Sequence, residues 1–168
     1  MKIAKTESKS VCLQCKLSGR KPGAAILYRD EHLTVSPYAK KLSPGFLVIT
    51  PRRHVEDIDL LDAGEREKLF SAACAFSSLL KEKLGAERVY WTVFCESSRH
   101  VHLWILPRLP GMKNWGMRPG KTDHCHAHIL LHNLFEGKCG GAKKDIDAAI
   151  AIIRKFAPRY MQKLRKRD

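Results

Sequence analysis

No run of apolar residues in this chain approaches the roughly 20 that a membrane-spanning helix needs. Its first nine residues alternate lysine with small and polar side chains and do not build the apolar centre of a signal peptide. These absences lead to the expectation of a cytoplasmic protein. In that setting the six cysteines are expected as thiols or metal ligands, because reducing compartments disfavour disulfides. Acidic side chains are also scarce, with 17 Asp and Glu against 31 Lys and Arg, a formal charge of +14. Such a balance favours polyanions, from nucleotides to RNA or DNA, over cationic ligands. Much of the excess sits at the ends, at Lys2, Lys5, Lys9, Lys16, Arg20 and Lys21 and again from Arg154 through Arg167, which makes the termini candidate nucleic-acid contacts. Internal repeats, low-complexity tracts and linkers are missing as well. A chain of 168 residues is long enough to bury a core without disulfides, so a single domain over 1–168 is expected.

What is present is a strand-rich first half followed by helices. Residues 24–38 and 46–52 are rich in Ile, Leu, Val and Tyr and are separated by Ser43-Pro44-Gly45, a strand-breaker-strand pattern. From Asp62 to Leu84 the period becomes helical. Asp62 and Glu65 form a capping pattern, Leu69, Ala72, Ala73 and Phe76 share a face, and Gly85 ends the run. Residues 88–95 and 100–109 read as an antiparallel pair about a Glu96-Ser97-Ser98-Arg99 turn. A last helix over about 143–166 carries an apolar stripe of Ile146, Ala149, Ile150, Ile153 and Ala157, and Pro158 is expected to kink or end it. Hairpins with helices set apart from them argue for an α+β domain, its core over about 12–135.

The chemistry concentrates in His100-Val101-His102-Leu103-Trp104-Ile105. Side chains alternate across a strand, so Val101, Leu103 and Ile105 enter a core while His100, His102 and Trp104 line the other face together. Near the N-terminus stands Cys12-Leu13-Gln14-Cys15, and between the two lies Pro51-Arg52-Arg53-His54. A C-x2-C turn offers two thiolates at a spacing that suits tetrahedral zinc, and two imidazoles complete a closed site. His54 and His100 are the natural third and fourth ligands. A second cluster, His124-Cys125-His126-Ala127-His128 with His132 beyond it, leaves two readings open: a second metal site, with Cys139 nearby, or a strand with one polar, solvated face. Cys74 and Cys95 read as small buried residues.

In their order, these blocks resemble the histidine triad family of nucleotide hydrolases and transferases, including its galactose-1-phosphate uridylyltransferase branch. Cys12 and Cys15 are similar to the family's zinc knuckle, residues 26–32 to its first hairpin, and residues 46–54 to its strand ending in Pro-basic-x-His. The His-x-His strand closes with Leu106-Pro107-Arg108. The resemblance implies an antiparallel sheet of about five strands with a long helix packed across it, a C-terminal helix beyond, a homodimer, and a structural zinc ion. It also implies that His102 is the nucleophile. Attack on phosphorus would give a covalent nucleotidyl-histidine at a phosphoanhydride or phosphoramidate bond of a nucleotide or nucleotide sugar.

Three departures accompany the likeness. The third histidine is Trp104, whose indole N–H donates one hydrogen bond but moves no proton near neutral pH. The uridylyltransferase branch has glutamine there. The family's glutamine before the first histidine falls on Glu96, so Ser97, Arg99 and Arg108 are the expected phosphate contacts. No acidic ribose ligand is recognisable in Val35-Ser36-Pro37-Tyr38. These departures keep open a second class, a weakened homologue that binds nucleotide or nucleic acid without efficient turnover.

Overall fold

The computed structural model describes residues 12–19, 25–96, 98–117, 120 and 125–164. A short helix α1 (Leu13–Ser18) precedes strands β1 (Tyr28–Arg29), β2 (Leu33–Pro37) and β3 (Leu47–Pro51). The long helix α2 (Ala63–Leu84) leads to β4 (Arg88–Thr92) and β5 (Leu103–Arg108), followed by α3 (Ala127–Phe135) and α4 (Lys143–Leu164). The five strands form one antiparallel sheet in the order β1-β2-β3-β5-β4. This is the α+β architecture expected. No described helix is long and apolar enough to cross a membrane.

Alternation sorts the sheet into two faces. Leu33 and Val35 of β2, Leu47 and Ile49 of β3, and Leu103 and Ile105 of β5 are buried on one side, against α2 and α4. There α2 contributes Leu69, Ala73, Phe76 and Leu80, and α4 contributes Ile146, Ile153 and Ala157. Each fully buried large side chain in this layer contributes about 1.5–3 kcal/mol. On the other side Thr34, Ser36, Val48, Thr50 and Trp104 come into register, with Thr34 opposite Thr50 and Val48 between Ser36 and Trp104. A smaller cluster of Phe46, Leu106, Met112, Leu130, Leu131 and Leu134 covers part of that side.

Local signals explain the main boundaries. Asp62 accepts from the Glu65 amide at 2.8 Å and Glu65 accepts from the Asp62 amide at 3.0 Å, a reciprocal cap that starts α2. Gly85 ends it in the left-handed region at φ 70°, where a side chain is disfavoured. Gly45 has a harder constraint. Its φ is +75°, and a Cβ there meets Leu80 at 2.9 Å, Leu84 at 3.0 Å and Pro107 at 3.1 Å. Gly45→Ala is therefore expected to cost roughly 1–3 kcal/mol, read as a lowered midpoint in urea unfolding with an unchanged slope.

Two alternatives that the sequence leaves open are excluded. Pro158 does not end α4, which runs on to Leu164. The buried Ala157 and Tyr160 hold the helix down on either side of the exposed Pro158. The second histidine cluster is no strand: Ala127–Phe135 is helical, and His126 is its N-cap. Alternate histidines suggested a period of two, but Leu130, Leu131 and Leu134 are the buried residues, and their spacing is helical.

Candidate functional site

The N-terminus of α1 meets the strand face at a cluster of two thiols and two imidazoles. Cys15 Sγ lies 3.2 Å from His54 Nδ1 and 3.4 Å from His100 Nδ1, and Cys12 Sγ lies 3.5 Å from His100 Nδ1. All four donor atoms fall within 4.8 Å of one another. A tetrahedron with Zn–S of about 2.3 Å and Zn–N of about 2.0–2.1 Å has S···N edges of about 3.5 Å, so these separations are those of a four-coordinate site.

The outer nitrogens are engaged in the matching sense. His100 Nε2 donates to the Pro51 carbonyl at 3.0 Å, and His54 Nε2 is 3.3 Å from Glu56 Oε1. Each contact puts the ring proton on Nε2 and leaves the Nδ1 lone pair facing the thiols. Burial, and then the neighbouring His54, hold His100 down to about 4, so it is the neutral ligand form at physiological pH. The Val101 amide donates to the Val55 carbonyl at 2.7 Å, which pins the segments carrying His54 and His100 together. The residues present fit a zinc ion.

His102 follows two residues on, just before β5, and is 3% exposed. Its Nδ1 donates to the His100 carbonyl at 2.8 Å, which leaves Nε2 with the free lone pair. Cys95 Sγ is 3.9 Å from the same Nδ1, and burial pushes its thiol up, so it sits beside His102 as a neutral group. Cys95 also has a left-handed backbone, φ 55°.

His102 and Trp104 border a cavity of about 950 Å³. Its floor is Ser36 and Val48 of the sheet, and α1 closes one side with Leu13, Gln14 and Leu17. The opposite wall is α3, through His128, Leu131 and Phe135. Trp104 lies at the centre of a set of rings. Its centroid is 5.4 Å from Tyr38, 5.4 Å from Phe135, 5.5 Å from Phe94 and 6.0 Å from His102. Among the described residues, Lys40 and Glu96 are its only Lys, Arg, Asp or Glu linings.

The structure therefore brings together Cys12, Cys15, His54 and His100, and sets His102 and Trp104 on one cavity. It does not bring in the expected arginines. Arg99 Nη1 is 3.4 Å from Glu56 Oε2, and Arg108 Nη2 is 2.9 Å from Glu87 Oε2; neither lines the cavity. Ser97 lies outside the described residues, as does His124. Among the described residues the knuckle is the only donor group close enough to hold a metal, and Cys125 packs beside the smaller apolar cluster instead. Cys74 is exposed on α2 and Cys95 is half-buried, so neither is the buried filler expected of it. The sequence does not single out Gln14, Lys40, Phe94 or Phe135, and it marks His128 as a metal donor or solvated side chain rather than as part of a cavity wall. Only Gln14 carried a signal, its place between two metal donors.

No family model matches the sequence, and no curated protein does. Solved structures do match. A Zn-bound histidine triad family protein from Mycobacterium smegmatis is 14% identical, with a TM-score of 0.59 over 96% of this chain and 100% of that one. A hypothetical histidine triad nucleotide-binding protein from Sulfolobus tokodaii is 18% identical, with a TM-score of 0.61 over 88% and 93%. A member of the HIT family from Bacillus subtilis is 20% identical, with a TM-score of 0.55 over 76% and 94%. The fold of this chain is that of the histidine triad proteins.

Proposed function

We propose that this protein is a zinc-stabilised, cytoplasmic nucleotide hydrolase or nucleotidyltransferase that works through a covalent nucleotidyl-histidine at His102. The observation that carries this reading is the 2.8 Å bond from His102 Nδ1 to the His100 carbonyl at the wall of a cavity. It fixes the tautomer and leaves Nε2 as a nucleophile. In the first step Nε2 forms a bond to the nucleotide's phosphorus, and the bond from phosphorus to the leaving oxygen or nitrogen breaks. In the second step water, phosphate or a sugar phosphate attacks the same phosphorus. The N–P bond then breaks, and the displaced pair returns to the imidazole. When bound, zinc supplies a crosslink among α1, the His54 loop and the His100 segment.

Trp104 stands where the family has a proton-transferring histidine, so it acts as an aromatic wall and a donor of one hydrogen bond. Among the described residues, Lys40 is the cation that lines the cavity and can meet phosphate there. This arrangement suits substrates with a good leaving group. The test is intact-protein mass spectrometry after brief incubation with adenosine, guanosine and uridine substrates: dinucleoside polyphosphates, phosphoramidates and nucleotide sugars, with acid avoided. A nucleoside-monophosphate adduct supports the reading. No adduct and no released product would favour a protein that only binds. A homodimer belongs to the same proposal, supported by the open edge of β4 with Phe70, Trp91 and Val93 exposed beside it; sedimentation velocity checks it.

A second reading, binding of nucleic acid, has its own observation on the opposite side of the sheet. Lys155, Arg159 and Lys163 follow one another at four-residue spacing along the exposed side of α4. Lys83 of α2 joins them, 4.8 Å from the Phe156 ring that Lys155 approaches at 5.5 Å, while Lys163 lies 5.3 Å from the Tyr160 ring. If this ridge contacts phosphates, the variant K155Q/R159Q/K163Q should lower the slope of log affinity against log salt by about 2–3 on duplex DNA. An unchanged slope removes the ridge from consideration.

A further inference from the structure

The helix that supplies two metal donors also walls the cavity, and it brings a polar group that the reaction above leaves unused. Gln14 stands between Cys12 and Cys15, is 8% exposed and borders the cavity. Its Oε1 accepts from the Thr50 hydroxyl at 3.2 Å. Thr50 projects from β3 on the same face as Val48 and is itself buried. A buried hydroxyl needs an acceptor, and here it takes the amide oxygen. The amide is thereby oriented, with its oxygen engaged by the protein and its two N–H donors left over.

The backbone under Gln14 is equally constrained. A six-residue helix is too short to persist alone, but α1 begins at Cys12, whose Sγ accepts from the Cys15 amide at 3.5 Å. Both sulfurs belong to the four-donor cluster. Ring faces make up much of the remaining wall, and an aromatic face stacks on any base without telling one from another. An oriented amide does discriminate.

We propose that Gln14 sets the base preference of the site by donating an N–H to a carbonyl oxygen on the edge of the base. The ligand class is a nucleotide whose base edge carries a carbonyl oxygen, as guanine and hypoxanthine do at position 6, in preference to adenine. This inference rests on the nucleotide reading above. With adenine, the 6-amino group sets donor against donor and leaves an N–H of the buried Gln14 unpaired, which a site built to hydrogen-bond its ligand rejects.

The test is calorimetric titration of the zinc-loaded full-length protein with GMP, IMP and AMP. GMP and IMP are expected to bind roughly tenfold more tightly than AMP, the value of one good hydrogen bond in a partly dry site. IMP separates the 6-oxo group from the 2-amino group of guanine. Gln14→Leu should bring all three within about twofold of one another, mainly by weakening GMP and IMP. Gln14→Glu keeps an acceptor for Thr50 but has no donor, and should turn the preference towards AMP. Thr50→Val, outside the cavity lining, should narrow the ratio by freeing the amide to turn. Zinc content measured on each variant shows that the knuckle is intact. A GMP-to-AMP ratio unchanged in both Gln14 variants, or a wild-type preference for AMP, overturns the assignment while leaving a nucleotide site in place. Binding of none of the three overturns the assignment and the nucleotide reading together.

Discussion

Replacing His102 with alanine is expected to lower turnover by at least about a thousandfold, with zinc content and folding unchanged. The expectation follows from what the imidazole touches. His102 Nδ1 donates a hydrogen bond to the His100 carbonyl and His102 is not one of the four clustered donors, so truncating it costs chemistry and leaves the metal site whole. His102→Asn sharpens the test, since an amide can still donate to the same carbonyl but has no nucleophilic lone pair. Steady-state kinetics with the substrate that gives the adduct, alongside zinc content and thermal unfolding, reads all three consequences. If His102→Ala lost metal and stability as a ligand variant does, the division between nucleophile and metal donor would be wrong. If it kept turnover within tenfold, covalent catalysis at this residue would be excluded.

That division was legible in the sequence because it depends on short-range geometry. Alternation along residues 100–105 sends Val101, Leu103 and Ile105 into the core and His102 and Trp104 to the cavity. The C-x2-C spacing with His54 and His100 predicts the donor set that the fold assembles. What failed to show depends on contacts between distant parts of the chain. The sequence does not reveal that Arg99 and Arg108 meet Glu56 and Glu87, because those carboxylates are 43 and 21 residues away. Nothing local marks a guanidinium as already paired. The far wall was hidden for a similar reason. Phe135 and His128 matter only because α3 folds back over the sheet, and the alternating histidines before it masked a helical leucine pattern.

Removing the metal should have the second large effect, and it should be local before it is global. The core between the sheet and helices α2 and α4 contains none of the four donors, so the strands have an apolar layer of their own. Helix α1 has no comparable support. Its buried anchors are Cys12 and Gln14, one a donor and the other between donors. If only the native state binds zinc, free zinc at a thousand times its dissociation constant adds about 4 kcal/mol of stability. In a chain of this length that corresponds to about 8–16 °C in Tm. Chelation, Cys15→Ser and His100→Ala should each lower Tm by amounts of this order. Amide exchange should increase first in residues 13–18, before strands β2, β3 and β5 respond. His100→Ala is expected to be the most damaging, because His100 is fully buried and its loss also strands the Pro51 carbonyl that its Nε2 satisfies. A cooperative loss of protection across the whole sheet on chelation would show instead that the metal holds up the entire domain. An unchanged Tm would mean that the four donors close on one another without an ion.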